Sequence, residues 1–153
     1  MTIKILSKYE TNEILGKLQE QFGIKEIPGI MLRIGQERIF LYQGALHEKE
    51  IIKLEMAVPV ERIGVYFAKI QNDELRLSIE GTHVLKNQIN KNIFEINDEQ
   101  LNTWMHGSEL QIETGKKTFL VMKNKDDLLG TGKASEKKIT NFIPKSRRLR
   151  ERS

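Results

Sequence analysis

The sequence predicts an α+β fold in two parts, a small N-terminal α/β piece over residues 1–58 and a strand-rich part over residues 59–153. Three observations predict it. Ile14, Leu15, Leu18 and Phe22 recur at helical spacing behind a Ser7/Glu10 capping box. Beyond Pro59 short β-rich runs follow one another at the spacing of a small barrel with short helices at its ends. The 153 residues, 39% hydrophobic and 30% charged, suffice for one medium domain or two small ones sharing a core.

The elements follow in order. A helix runs from about Ser7 to Phe22 and stops at Gly23, and Ile24–Gly29 is a loop containing Pro28. Ile30–Ile34 and Arg38–Tyr42 flank Gly35-Gln36-Glu37 and read as a hairpin, closed by Gly44. His47–Met56 reads as a short helix carrying Ile51, Ile52 and Leu54. Pro59 marks a seam. Ile63–Ile70 is a strand, Gln71-Asn72-Asp73 is turn chemistry, and Leu75, Leu77 and Ile79 alternate with Arg76, Ser78 and Glu80 as in a half-buried strand. Thr82 caps a short helix through Leu85, Asn87–Asn92 is a loop, and Ile93–Ile96 is a short strand. Asp98 caps a helix that carries Leu101, Trp104 and Met105 and ends at Gly107. Glu109–Glu113 and a turn at Thr114-Gly115-Lys116 lead to the strand Thr118–Met122, and Asp126-Asp127 breaks the chain before Leu128. Trp104 and Phe142 share apolar faces with their neighbours and are expected in the core.

Composition removes several function classes. The absence of cysteine excludes disulfides, thiolate metal sites and a cysteine nucleophile. His47, His83 and His106 are far apart, so no metal is expected, and no cofactor. No apolar run approaches the roughly 20 residues that span a bilayer, and the N-terminus has no signal-peptide pattern, so a cytoplasmic location without membrane contact is expected. Gly130-Thr131-Gly132-Lys133 fails as a phosphate loop, because Asp127 and Ala134 stand where Gly and Ser or Thr are needed. It fails as a dinucleotide fingerprint at Ser135. These glycines are then expected to permit a turn, a bulge or a close backbone approach. The net charge is +4, but Gly130–Ser153 alone carries +6 from Lys133, Lys137, Lys138, Lys145, Arg147, Arg148, Arg150 and Arg152 against Glu136 and Glu151. All the positive excess lies in the last sixth of the chain, which points to a polyanionic partner.

Leu128-Leu129-Gly130-Thr131-Gly132-Lys133, followed by Lys138-Ile139-Thr140-Asn141-Phe142-Ile143-Pro144-Lys145, resembles the C-terminal PUA-like domain of the Sun/Fmu-type RNA 5-methylcytosine methyltransferases. Trp104–Leu110 and Arg62-Ile63-Gly64-Val65 resemble earlier parts of that domain. The resemblance runs from about Pro59 to Arg148, with Thr140 where lysine is usual. Residues 1–58 resemble the extra α/β piece of standalone archaeal relatives. The resemblance implies a PUA-like β pseudo-barrel with short helices and a basic C-terminal tail. The methyltransferase portion and its cysteine are absent, so it implies RNA binding without catalysis. The residues it points to are Gly130, Gly132, Lys133, Lys137, Lys138, Asn141, Lys145, Arg147 and Arg148. Gly130–Pro144 is expected as a folded strand pair and Lys145–Ser153 as a flexible extension. The expected partner is structured rRNA or tRNA, in ribosome biogenesis or RNA modification. The alternative is a protein-interaction adaptor that docks an RNA methyltransferase or a ribosome-assembly factor.

Overall fold

The structure, a computed structural model, describes residues 3–57 and 63–150. Local sequence sets its first helix. Helix α1 (Lys8–Phe22) begins at Ser7, whose hydroxyl accepts from the Glu10 amide while the Glu10 carboxylate accepts from the Ser7 amide, and it ends at Gly23 in the left-handed region. Ile14, Leu18 and Phe22 form its buried stripe. Helix α1 is flanked by a strand that the periodicity did not show, β1 (Ile3–Ile5). Three residues are too few to carry a period-two signal.

Strands β2 (Ile30–Ile34) and β3 (Arg38–Tyr42) form the expected hairpin, with Ile34 opposite Arg38, and the expected short helix is α2 (Glu48–Ala57). The seam expected at Pro59, and Arg62 beside it, lie outside the described residues. On its far side, β4 (Val65–Gln71) pairs with β3, and β5 (Glu74–Leu77) returns through a turn in which Asn72 and Asp73 both have positive φ. These five strands form one antiparallel sheet in the order β1-β2-β3-β4-β5.

The strand alternation stops at Leu77, one step earlier than expected. Ser78 caps helix α3 (Ile79–Val84) by accepting from the Gly81 amide, so Ile79 is helical and Thr82 is not the cap. Thr82 is buried, with its hydroxyl donating to the Ile79 carbonyl at 2.7 Å. A second sheet has the order β6-β7-β8-β9, from β6 (Ile93–Glu95), β7 (Phe119–Asn124), β8 (Asp127–Ala134) and β9 (Ile139–Thr140). Strand β6 is parallel to β7, and the other pairs are antiparallel. Helix α4 (Asp98–Met105) connects β6 to β7 and is capped by Asn97 in a capping box with Gln100, rather than by Asp98. Asp127 does not break the chain: Lys125 and Asp126 make the hairpin turn and Asp127 starts β8.

Burial joins the two sheets. One cluster packs Ile14, Leu18 and Phe22 of α1 with Phe67, Leu75, Phe119 and Val121. A second surrounds Trp104 with Leu120, Met122, Ala134, Ile139 and Ile143. A third lies under α2, where Ile51 meets Leu32, Ile34 and Phe40. Strand β5 lies against β7 and β8, and the buried Thr131 hydroxyl donates to the Leu77 carbonyl at 2.9 Å. The result is the α+β architecture that the sequence predicts, with a curled half-barrel in the second sheet.

Candidate nucleic-acid interface

The β7–β8 hairpin is the base on which the basic groups stand. Val121 pairs with Thr131 and Lys123 with Leu128, so β8 holds one residue more than β7 between these pairs, a β-bulge. Gly130 lies in it with φ +76°, a conformation that favours glycine, and is buried against Ile79. Gly132 has a different need. A Cβ there would meet Ile139 Cγ2 at 2.5 Å, Trp104 Cη2 at 2.6 Å and the Thr140 carbonyl at 3.0 Å. The room that glycine leaves at 132 is occupied by the indole of Trp104, which is 0% exposed.

Past β8 the chain turns and returns as β9, with Lys133 opposite Thr140 and the buried Ala134 opposite Ile139. Lys133 and Thr140 therefore sit on the face away from Trp104. Lys133 donates to Glu74 Oε1 at 2.8 Å, and the other oxygen of that carboxylate accepts from the Thr118 hydroxyl at 3.2 Å. The same ammonium lies 4.6 Å from the centre of the Phe119 ring. Phe119 packs against Phe142 at 6.1 Å, and the Arg76 guanidinium covers the Phe142 ring at 4.3 Å. Two packed rings, with a cation at each end, thus run from β8 across to β5.

Around this row stand the other basic residues. Lys138 pairs with Glu109 at 3.0 Å, with both side chains about half exposed. Arg147 pairs with Glu80. Lys137 is exposed in the β8–β9 turn, and Lys145 and Arg150 are exposed near the end; none of the three has a side-chain partner among the described residues. The Lys138 ammonium holds the Glu109 carboxyl below its ordinary value by its hydrogen bond and its charge, against partial desolvation. Burial pushes the Glu80 carboxyl up, but the Arg147 hydrogen bond and charge together with a backbone N–H bring it below the usual value.

Asn141 is placed differently from the lysines. Its amide donates to the carbonyls of Trp104 at 2.8 Å and Ser108 at 3.0 Å, and its oxygen accepts from the Ile143 amide at 2.8 Å. It fastens the end of α4 to the chain after β9. The segment expected to be a flexible extension is tied down as far as Leu149. Lys145–Arg147 form a 3-10 turn after Pro144, Arg148 Nε donates to the Ile143 carbonyl at 2.9 Å, and the Leu149 amide donates to the Met105 carbonyl at 2.8 Å. The Arg148 side chain also lies over Gly107, whose φ is +91°. Residues 151–153 lie outside the described part.

Where Arg147 meets Glu80, a narrow cleft of about 40 Å³ opens. Leu129, Phe142 and Ile143 supply apolar lining, and Tyr66, Arg76 and Arg147 supply polar groups. Gly130, Lys133, Arg147 and the chain from Thr140 onward are thus brought to one region, while Lys138 and Lys137 stand at its β8–β9 end. Glu74, Arg76 and Glu80 were not among the residues the sequence pointed to. Charge density and the family resemblance both single out the C-terminal segment, and these three lie upstream of it, joined to it only by the fold. Among the described residues no cluster of His, Asp and Glu is arranged to hold a metal, and no helix is long and apolar enough to cross a membrane.

Residues 91–149 match the family model for the Methyltransferase RsmF PUA domain. The match begins at Lys91, well after the Pro59 at which the resemblance begins, and covers less than half of the chain. A search of the curated proteins finds no match.

Proposed function

Because residues 91–149 form a PUA-like domain of the kind carried by the Sun/Fmu-type methyltransferases, a family that implies RNA binding, we propose that this protein is a non-catalytic, cytoplasmic RNA-binding protein. Its ligand is structured rRNA or tRNA, bound in ribosome biogenesis or RNA modification. The observation that carries the reading is the placement of Lys133, Lys137, Lys138, Lys145 and Arg147 on and around a rigid strand pair, next to a cleft bordered by Arg76 and Tyr66. Lysine and arginine neutralise phosphates and release counterions, which gives affinity but no choice of sequence. Choice comes from RNA shape, 2′-hydroxyls and unstacked bases read at a fixed surface. The division into an N-terminal unit over residues 1–58 and an RNA-binding unit over residues 59–153 is part of this proposal, with the first unit bracing the second through the shared core.

The test is titration of a short RNA hairpin, and separately of unmodified tRNA, as a function of salt. Lys137, Lys145 and Arg150 alone correspond to a log–log slope of about −2, at roughly −0.7 per phosphate contact. Replacing Lys137 and Lys145 by Gln should flatten that slope by about 1.4 on the same scale. No measurable binding to either RNA at low salt would overturn the reading and favour the protein adaptor.

A further inference from the structure

Three of the basic side chains at the interface are not free. Each is held by a carboxylate from a distant part of the chain: Lys133 by Glu74 at 2.8 Å, Lys138 by Glu109 at 3.0 Å, and Arg147 by Glu80. The pairs share one continuous surface. Lys133 faces Thr140 across the β8–β9 ladder, and Thr140 also hydrogen-bonds the Glu109 carboxylate that holds Lys138. At the other end, the Lys133–Phe119–Phe142–Arg76 row leads to the cleft closed by Arg147 and Glu80. All six side chains are between about a quarter and a half exposed, so a phosphate can reach the cations from solvent. The Thr118 hydroxyl, a second donor to Glu74, keeps that carboxylate in place when the lysine leaves.

A phosphate oxygen and a carboxylate oxygen compete for the same donors. A loosely approaching polyanion meets a pair that is already neutral, and gains little. Only a ligand whose phosphates fall at the spacing of the three cations can take all of them from their carboxylates together. We propose that Glu74, Glu80 and Glu109 are specificity-determining residues that compete with ligand phosphates for Lys133, Lys138 and Arg147, so that the protein discriminates a fitted RNA from polyanions in general. This inference rests on the RNA-binding reading above. Lys137, Lys145 and Arg150 supply the indiscriminate attraction, and the three masked cations supply the choice.

The experiment compares the full chain with a triple variant, Glu74→Gln, Glu80→Gln and Glu109→Gln. A control triple variant carries the same charge change at the exposed Glu13, Glu48 and Glu99, which have no ion-pair partner among the described residues. A structured RNA hairpin and a DNA duplex of equal length are titrated against salt. The paired triple should bind both more tightly than the control does. It should gain more on the duplex than on the hairpin, and its duplex salt slope should steepen by about three contacts, close to −0.9 each. An equal gain in the control triple would overturn the proposal, since the effect would then be net charge alone. Weaker binding by the paired triple would overturn it as well, since the carboxylates would then position the cations for the ligand. If the triple does not fold, Glu109→Gln alone reads out a single pair and should show about a third of the slope change. Binding of the hairpin by the wild type with no difference between the two triples removes this inference and leaves the RNA-binding reading standing; no binding by any variant removes both.

Discussion

Two glycines separated by one residue do two different jobs. Gly130 holds a bulge at φ +76°, while Gly132 makes way for Trp104 and Ile139. Their sequence context announces a turn, bulge or close approach, but does not say which glycine has which role, because that depends on a helix 28 residues upstream. Gly132→Ala should lower stability by about 1–3 kcal/mol through overpacking, read as a shift in urea midpoint with unchanged m-value. Gly130→Ala should lose about 1–2 kcal/mol from the left-handed backbone. Asn141 shows the same dependence on partners. Its amide carries three hydrogen bonds, two of them to the carbonyls of Trp104 and Ser108. Asn141→Ala should destabilise by about 1–3 kcal/mol, since it leaves these groups without their partner. A thermal melt without RNA checks this, and an unchanged melt would disprove the clasp.

Among the elements, the helices are nearly all legible, and the cap stands where expected in α1 but not in α3 or α4. Helix α1 declares itself by a capping box and a stripe of four apolar residues. In helix α4 two adjacent good caps compete, and the one with Gln100 three residues on, Asn97, wins over Asp98, which has Leu101 there. That signal was in the sequence. For helix α3 no signal of this kind exists, because Gly81 stands three residues after Ser78 and the alternation Leu75, Leu77, Ile79 runs on past the true strand end. Asn97→Ala should cost about 1 kcal/mol, visible in the melting temperature. The end of the chain was the least legible element. A basic run looks solvated, and what orders it is a backbone bond from Leu149 to Met105 and an arginine laid across Gly107. Truncation after Pro144 should therefore lower the melting temperature by several degrees, at about 2–4 °C per kcal/mol lost in a chain of this size. An unaltered melting temperature would show the segment to be ornamental.

Over the whole molecule, the first sheet runs from β1 to β5 and the largest core cluster joins α1 to β7 and β8. Hydrophobic patterning reveals each buried stripe but not which stripes meet, so the upstream half of the interface, Glu74, Arg76 and Glu80, appears only once β5 and α3 are seen against β8. Charge is coupled across the same distances. The carboxyls of Glu10, Glu80 and Glu109 lie below their ordinary value of 4.5, so the folded protein binds those protons less readily than the unfolded chain. Their contribution to stability is present above 4.5 and is lost as pH falls through the lower folded values. The melting temperature should accordingly hold down to the usual glutamate range and decline only below it. Combining Glu10→Gln, Glu80→Gln and Glu109→Gln should lessen that decline.

The indole at the centre of the second core cluster is also the only tryptophan of the chain, is 0% exposed, and has a ring nitrogen with no hydrogen-bond partner among the described residues. It is therefore a built-in optical reporter: its emission should be blue-shifted in the native protein and move to the red on unfolding. Because Gly132 and Ile139 seal it from the Lys133 side of the sheet, ligand bound there cannot quench it by contact. A change in its fluorescence on adding RNA would report movement of the β8–β9 pair relative to α4.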